Sequence, residues 1–376
     1  MDAENQIFVD SNSKKNKNND IIEITKLKMI NLENHNKKFY FFISIMIFIF
    51  FAILFNLSSI NNNSSGVDLS EVTFQKLNKS ILQEIKKLQM EFCSNQSKYI
   101  KYNFENQIKL VNASLLKKNF YMYIYKSQDI VSYYIDLVNN YEATETEKII
   151  NALDYYSYKK NISNNDIYIL DIGANVGWYT FFFGKCGYNV LSFEPSDVNI
   201  YILRKNFCLN PNFNVTLIKK ALYTDEKKCD YYAHRGNIGN GMILCDDNSN
   251  INKEYIKTGE TYLTKLSNYI EFLSTKKLVL IKMDIEGSEG KAIESGIELI
   301  SKYHVPFIFL EFTPKLLEMH GIEPIKFLEI FEMNGYKFAK KDFFDKNYYT
   351  KQEIMGKAKH VAINLFIIYS NIFKND

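Results

Sequence analysis

Between Ile167 and Gly177 the chain reads Ile-Tyr-Ile-Leu-Asp-Ile-Gly-Ala-Asn-Val-Gly, and no other stretch constrains the fold as much. Its first four residues are apolar or aromatic, with β-branched Ile167 and Ile169, as in a short strand buried on both faces in the middle of a parallel sheet. The strand stops at Asp171. Gly173 and Gly177 then bracket a turn into Trp178-Tyr179-Thr180-Phe181-Phe182-Phe183, and so dense an apolar run suits a helix covered by its domain. A turn of this kind lets a ligand approach the backbone where a Cβ would collide, and it aims free helix N–H groups at that ligand. The glycine spacing, Gly-x-x-x-Gly with Asn175 between, departs from the G-x-G-x-x-G of dinucleotide binders. A tight turn with no ligand has the same local pattern, so the rest of the chain must decide.

Beyond the turn, strand and helix patterns alternate. They read as strand 189–194, helix 197–209, strand 215–222, an irregular insertion 225–260, strand 278–283, helix 289–302, strand 307–311, helix 324–334, and strands near 336–339 and 361–369. Such alternation specifies an α/β fold, Rossmann-like, with a mostly parallel sheet and helices on both faces. The last two strands, joined by a loop rather than a helix, are expected to form an antiparallel C-terminal hairpin at one side.

The N-terminal part has a different character. Residues 1–38 are polar, rich in Asn and Lys and without periodicity, which reads as a disordered tail. From Phe39 to Leu57 there is no charge, and at about 1.5 Å per residue the run matches a bilayer's hydrocarbon core. A cleaved signal peptide has a shorter apolar core nearer the terminus and ends in small residues, so a retained transmembrane anchor is the better reading. Lys26, Lys28, Lys37 and Lys38 precede the run, whereas Asp68 and Glu71 follow it without nearby Lys or Arg. The positive flank places the N-terminus in the cytosol and everything after residue 60 in a lumenal or extracellular space, a single-pass type II arrangement of the Golgi or endoplasmic reticulum. N-x-[ST] acceptors at Asn62, Asn63, Asn78, Asn95, Asn112, Asn161 and Asn214 agree with that side of the membrane.

Residues 58–118 read as linker and helical stem. Val72, Leu77, Ile81, Leu82, Ile85, Leu88 and Phe92 recur at helical spacing between Lys and Glu. This helix is either a stem that pairs with a second copy to give a homodimer, or a helix packed on the following domain, and its place between anchor and domain favours the stem. Residues 93–118 show no clear pattern, and residues 119–376 form the principal domain.

A net charge of +3 and a basic complement of Lys with only Arg204 and Arg235 exclude a phosphate-tracking groove, so no nucleic acid partner is expected. Cys93, Cys186, Cys208, Cys229 and Cys245 show no zinc spacing, and no metal ligand set is assigned. Cys186 and Cys208 lie in helix patterns and read as core. Cys229 and Cys245 flank the glycine-rich segment His234-Arg235-Gly236-Asn237-Ile238-Gly239-Asn240-Gly241; a lumenal location permits a disulfide there, while two free buried thiols have the same spacing.

In open parallel sheets ligands lie beyond the C-terminal ends of the strands. The second strand ends Phe193-Glu194-Pro195, which puts a carboxylate one strand over from the glycine turn, where it can accept both hydroxyls of an adenosine ribose. The stretch Val279-Leu280-Ile281-Lys282-Met283-Asp284-Ile285-Glu286-Gly287-Ser288-Glu289 runs from a strand into a cluster of charge. Carboxylates this close repel one another, so at least one pKa should rise. The cluster suits a general base, a divalent cation or a cofactor's ammonium group. Glu289 fits a helix N-terminus instead, leaving Asp284 and Glu286 for the site.

Together these stretches resemble the FkbM-type methyltransferases, a group of class I S-adenosylmethionine-dependent O-methyltransferases. The matching segments, across residues 125–370, are Asp129 to Glu142, Leu170 to Gly177, Phe193 to Pro195, Ala221-Leu222, Ile281 to Glu289 and Phe309 to Phe312. The resemblance implies that Asp171, Gly173, Asn175, Gly177 and Glu194 hold S-adenosyl-L-methionine, with Asn206 and Ala221 on the adenine side. At Leu266-Ser267 the chain departs from the family's Leu-Asp pair. Asp284 and Glu286 are the first candidates for the base, with His234 and His360 as alternatives. The expected function is methylation of a hydroxyl on a glycan or glycoconjugate by a membrane-anchored enzyme. A lipid or small-metabolite acceptor, or a non-catalytic binding module on the same fold, is the alternative. If the orientation holds, protease added to intact microsomes removes residues 1–38 and leaves 61–376 protected; digestion of the large fragment without detergent would reverse it.

Overall fold

A computed structural model describes residues 69–96, 104–245 and 253–372, with side chains from Ser80 onward save Ile81. The expected tail and the Phe39–Leu57 anchor lie outside these residues. Among the described residues no helix is long and apolar enough to cross a membrane. Leu69–Asp376 make one compact unit.

The unit begins with helix α1 (Leu69–Ser94), the hairpin β1 (Ile108–Leu115) and β2 (Lys118–Tyr125), and helices α2 (Ile130–Val138) and α3 (Ala143–Lys160). There follow β3 (Ile167–Ile172), α4 (Trp178–Lys185), β4 (Asn189–Phe193), α5 (Asp197–Leu209), β5 (Val215–Ile218), β6 (Ala221–Leu222), β7 (Lys228–His234), β8 (Asn237–Leu244) and β9 (Tyr255–Thr264). The rest is α6 (Ser267–Ser274), β10 (Lys277–Met283), α7 (Glu289–Glu294), α8 (Glu298–Ser301), β11 (Phe307–Phe312), α9 (Pro314–Met319), α10 (Pro324–Met333), β12 (Tyr336–Ala339), β13 (Tyr348–Tyr349), α11 (Lys351–Lys357) and β14 (Ile363–Tyr369).

The main sheet has the order β13-β12-β14-β11-β10-β3-β4-β5. Its central pairs β11/β10, β10/β3, β3/β4 and β4/β5 are parallel. Successive side chains of a strand point to opposite faces, and the two cores follow that rule. Ile167 and Ile169, Val190, Phe307 and Phe309 enter one core, beneath the β1–β2 hairpin and α2 to α5. Leu170 and Ile172, Leu191 and Phe193, Ile308, Leu310 and Phe312 enter the other, beneath α6 to α11. Helix α4 is apolar all round because it lies between the sheet and the β1–β2 hairpin, where Trp178 stacks on Phe182 at 5.4 Å and meets Phe120 at 6.2 Å.

Several elements differ from the sequence expectation. The pattern over 215–222 divides after Ile218: Ala221–Leu222 leaves the main sheet and pairs with Leu263–Thr264. The insertion 225–260 is not irregular, since β7, β8 and β9 pair antiparallel and, with β6, make a second sheet in the order β6-β9-β7-β8. The helix over 289–302 breaks at Gly296, where a Cβ would come within 2.7 Å of Leu266. Strands β12 and β14 do pair antiparallel, yet they are not a simple hairpin, because β13 and α11 lie between them in sequence and β14 inserts beside β11. Thr350 and Glu353 form the capping box that starts α11.

The helix read as a stem packs on the domain, so no boundary falls near residue 118. Phe92 is buried against Tyr201 of α5. Gln89 donates from Nε2 to the Val215 carbonyl and accepts from the Leu217 N–H at 2.8 Å, satisfying the open edge of β5 as a neighbouring strand would. Cys208, expected as core, is instead disulfide-bonded to Cys93 of α1 with Cα atoms 5.4 Å apart, while Cys186 stays a free, half-buried thiol. The bridge spans a sequence separation of 115, a long loop whose closure restricts the unfolded chain. Replacing both cysteines with Ser should therefore lower the unfolding free energy of the oxidised protein by about 2–5 kcal/mol, read from denaturant midpoints. An unchanged midpoint would show that α1 is held by packing alone.

Candidate active site

Beyond the C-terminal ends of β3, β4, β10 and β11 lies a cavity of about 280 Å³, at the small end of the range for ligand pockets. Its floor is the glycine turn. Gly173 and Ala174 both donate to the Phe193 carbonyl, and Asn175 N–H donates to Glu194 Oε2 at 2.8 Å, so the turn is stitched to the end of β4. Gly173 has φ +82°, and a Cβ there would stand 1.8 Å from the Asp284 carbonyl oxygen. This glycine is required by the approach of the β10 loop as well as by any ligand. Asn175 and Glu286, both lining the cavity, also hold left-handed φ values of 51° and 55°. Backbone strain of this kind in non-glycine residues concentrates at functional sites.

At one end Glu194, 3 % exposed, accepts from Ser196 N–H as well as from Asn175, and each oxygen keeps a lone pair. Burial pushes its carboxyl up to about 7, against the pull of those two backbone hydrogen bonds. Asn175 Oδ1 is buried with no partner. Ala221 and Leu222 provide an apolar wall.

At the other end Asp284, Glu286 and Glu311 bring carboxylate oxygens within 4.8 Å of one another. Burial first, and then the charge of Asp284, raise both Glu286 and Glu311. Lys282 is buried at the junction. Its Nζ donates to the Gly173 carbonyl at 3.1 Å and lies 3.8 Å from both Asp171 Oδ1 and Asp284 Oδ2. Burial alone would lower Lys282, but Asp284, Asp171 and Glu142 outweigh it and the ammonium is raised. Glu142 accepts from the Tyr179 hydroxyl at 2.7 Å and from Asn364. His320 also lines the cavity, and burial, followed by the nearby Lys291 charge, lowers its pKa.

Strand β8 walls the cavity with Asn237 and with Gly239 to Ile243. It is tied down at several points: Ile238 N–H donates to the Gln128 carbonyl, Asn199 Nδ2 donates to the Gly239 carbonyl at 2.9 Å, and Asn240 Nδ2 donates to Glu286 Oε1. A Cβ on Gly239 would stand 2.1 Å from Asp129 Oδ2. The Cys229–Cys245 pair, left open by the sequence, is a disulfide that closes the β7–β8 hairpin at its base.

Of the residues expected at the site, Gly173, Asn175, Glu194, Ala221, Asp284 and Glu286 line the cavity. Asp171 does not: it is fully buried beneath, accepting from Thr180 and facing Lys282. Gly177 caps α4 at φ +98°, against Leu203 and Phe181. Asn206 is spent on the backbone, donating to the Tyr123 and Val176 carbonyls and accepting from Tyr123 N–H, so it holds the β2 strand to the turn and not an adenine. His234 lies off the cavity beside Tyr255 and Glu254, and His360 is exposed in the loop before β14. The histidine that does reach the cavity, His320, carries no sequence signal. Glu311 and Glu142 were present in the matching segments, but only the pairing of β11 with β10 brings Glu311 to Asp284. Leu266, at the family departure, is fully buried away from the cavity.

The mixed α/β fold, with a glycine turn, a strand-end acid and a carboxylate cluster around one cavity, is similar to that of class I methyltransferases. Residues 171–338 match the family model of the methyltransferase FkbM domain. No curated protein matches the sequence. Among solved structures, a 2.2 Å crystal structure of WbdD aligns at 12% identity and a TM-score of 0.34, over 59% of this chain and 39% of WbdD. The chain thus spans about two fifths of that relative. A TehB-like SAM-dependent methyltransferase from Corynebacterium glutamicum aligns at 12% identity and TM-score 0.32, over 63% of this chain and 94% of the other. The T. thermophilus 16S rRNA N2 G1207 methyltransferase RsmC, solved with AdoMet and guanosine, aligns at 10% identity and TM-score 0.33, over 70% and 50%.

The raised carboxyls set a pH dependence. Glu194 and Glu289 go from 4.5 to about 7 in the folded state, Glu289 chiefly through burial, so the native protein holds protons that the unfolded chain releases. Their contribution is complete below the ordinary carboxylate range and is lost as pH rises through about 7. Glu286 and Glu311 act in the same direction. The ligand-free protein should melt lower at about pH 8.5 than at about pH 5.5, by at least ~2 °C, and Glu311→Gln should flatten the alkaline side of that profile. A melting midpoint that rises with pH over this range would contradict the assignment.

Proposed function

We propose that the chain transfers a methyl group from S-adenosylmethionine to a hydroxyl of a glycan or glycoconjugate, as a single-pass type II membrane protein with its catalytic domain in the secretory lumen. The observation that carries the methyl-donor reading is the union, in one cavity, of the Gly173–Asn175 turn and Glu194 with the Asp284, Glu286 and Glu311 carboxylates. The residues present fit the donor. Asn175 Oδ1 is buried and unpartnered beside the turn, Glu194 retains acceptor capacity for two ribose hydroxyls, and Ala221–Leu222 offers an apolar face to a base. When bound, S-adenosylmethionine supplies a methyl group on a positively charged sulfur.

The chain's own contribution is positioning and proton removal. A sugar hydroxyl is a poor nucleophile, and holding its oxygen in line with the methyl group supplies much of the acceleration. Asp284, which keeps 39% of its side chain exposed and faces the Lys282 ammonium, is assigned to take the hydroxyl proton. Glu286 and Glu311, raised by burial, keep protons that can hydrogen-bond the acceptor.

Lumenal placement rests on the Phe39–Leu57 run and its Lys flank. Two observations support it: the Cys93–Cys208 and Cys229–Cys245 disulfides suit an oxidising compartment, and the N-x-[ST] acceptors Asn95, Asn112, Asn161 and Asn214 are all exposed. The glycan acceptor follows from that placement and from the family resemblance. Calorimetric titration with S-adenosylmethionine, together with labelled-methyl transfer to a glycan panel, tests the reading. Glu194→Ala should weaken donor binding by ~1.5–3 kcal/mol, and Asp284→Asn should slow transfer roughly 10²–10⁴-fold. A protein that binds no donor would be a non-catalytic module on this fold.

A further inference from the structure

We infer that helix α2 is a docking track for the uncharged sugar chain that continues from the methylated residue out of the cavity. This rests on the glycan reading and names the part of the acceptor that the cavity does not hold. Along α2, Ile130, Tyr133, Tyr134, Leu137 and Val138 recur at i, i+3, i+4, i+7 and i+8, the apolar stripe with which a helix ordinarily faces its core. Here that stripe faces solvent, each of its residues being between 47 and 62% exposed, while Ser132 and Ile135 on the other face are buried. A contiguous exposed apolar face of this kind marks an interaction site.

The track is continuous with the cavity. Ile130, at its first turn, lines the cavity, and so does Tyr141. The rings of Tyr133 and Tyr134 meet edge to face at 5.5 Å, and Tyr134 meets Tyr141 at 6.3 Å, so aromatic surface runs without a break from solvent to the cavity. From Ile130 to Val138 the helix rises about 12 Å, longer than the reacting unit alone. The helix is also fixed in place: Asp129 caps it by accepting from Ser132 N–H at 2.6 Å, and Ser132 Oγ accepts from Tyr125 N–H.

Charge selects the occupant. Helix α2 carries no Lys or Arg, and its one acid, Asp136, is paired with Lys109 at 2.6 Å. Helices that lie on a bilayer carry basic residues on their polar face, which α2 lacks. A neutral sugar chain fits: pyranose C–H faces pack on aromatic rings, and tyrosine hydroxyls remain free to hydrogen-bond sugar hydroxyls.

The test compares acceptor lengths, using the full chain in detergent with a panel of methyl hexosides, methyl deoxyhexosides and the matching linear pentasaccharides. Binding is followed by saturation-transfer NMR and turnover by labelled-methyl transfer. The wild type should bind its preferred pentasaccharide at least ~10-fold more tightly than the matching methyl glycoside. The Tyr133→Ala/Tyr134→Ala double variant should lose that ratio through KM with kcat retained, and Tyr133→Phe/Tyr134→Phe should keep most of it. Melting midpoint and S-adenosylmethionine affinity should be unchanged, since both rings are exposed. Equal affinity for both lengths in the wild type, or a double variant that retains the ratio, overturns the track. So does a dimer that the double variant converts to monomer, which makes the face a contact between copies, or loss of binding to phosphatidylcholine vesicles, which makes it a bilayer contact. A wild type that binds S-adenosylmethionine but no sugar of the panel overturns the track and the glycan acceptor while leaving the methyl-donor reading standing.

Discussion

The buried ammonium of Lys282 is the interaction on which the site depends. Asp171 is wholly enclosed, and one of its oxygens has no hydrogen-bond partner. Left alone it would be an uncompensated charge in a low-dielectric interior, a condition that costs about 3–5 kcal/mol when one member of a buried pair is removed. Lys282 faces Asp171 on one side and Asp284 on the other, and it donates to the Gly173 carbonyl between them. One side chain thereby fixes the end of β3, the glycine turn and the loop after β10 with respect to one another. The 1.8 Å clash that any Cβ at Gly173 would make with Asp284 shows how closely these segments are drawn together.

From that joint the electrostatic character of the cavity follows. The same lysine that compensates Asp171 also faces the acidic group, but it is a single cation among Asp171, Asp284, Glu142 and Glu311, and burial, followed by the charge of Asp284, raises the pKa of Glu311 and Glu286. A floor of backbone and a wall of carboxyls with raised pKa values are thus set side by side. The Glu194 end is built from strand ends that any parallel sheet offers. The carboxylate end needs the second sheet: β8 closes it, and the Asn240–Glu286 hydrogen bond and the Cys229–Cys245 bridge hold β8 there.

The domain also shields its sheet from its N-terminal side. Gln89 occupies the hydrogen-bonding edge of β5, and Cys93–Cys208 fastens the helix that presents it. Helix α1 is thus a structural part of the domain. Of its apolar positions, Leu82 and Ile85 pack on one core and Phe92 on the other, while Leu88 is half exposed.

The sequence by itself determined the elements whose signals are local. The Ile167–Gly177 strand and turn, the parallel centre of the sheet, helix 197–209, and the cavity-lining residues Gly173, Asn175 and Glu194 are all legible because burial on two faces, positive φ and a strand-end acid leave marks within a few residues. Other features depend on pairings between distant segments, which periodicity does not encode. The break of β5 from β6, the ordering of 225–260 into a sheet, the insertion of β14 between β12 and β11, and the disulfide partner of Cys208 are of this kind. The same reason governs the site. Only the parallel register of β10 against β11 brings Glu311 to Asp284 and Glu286, and only the fold leaves His234 and His360 outside the cavity while His320 lines it. A residue's chemistry is written in the chain, but its neighbours across a cavity are chosen by strand order and loop closure, which tertiary packing alone decides.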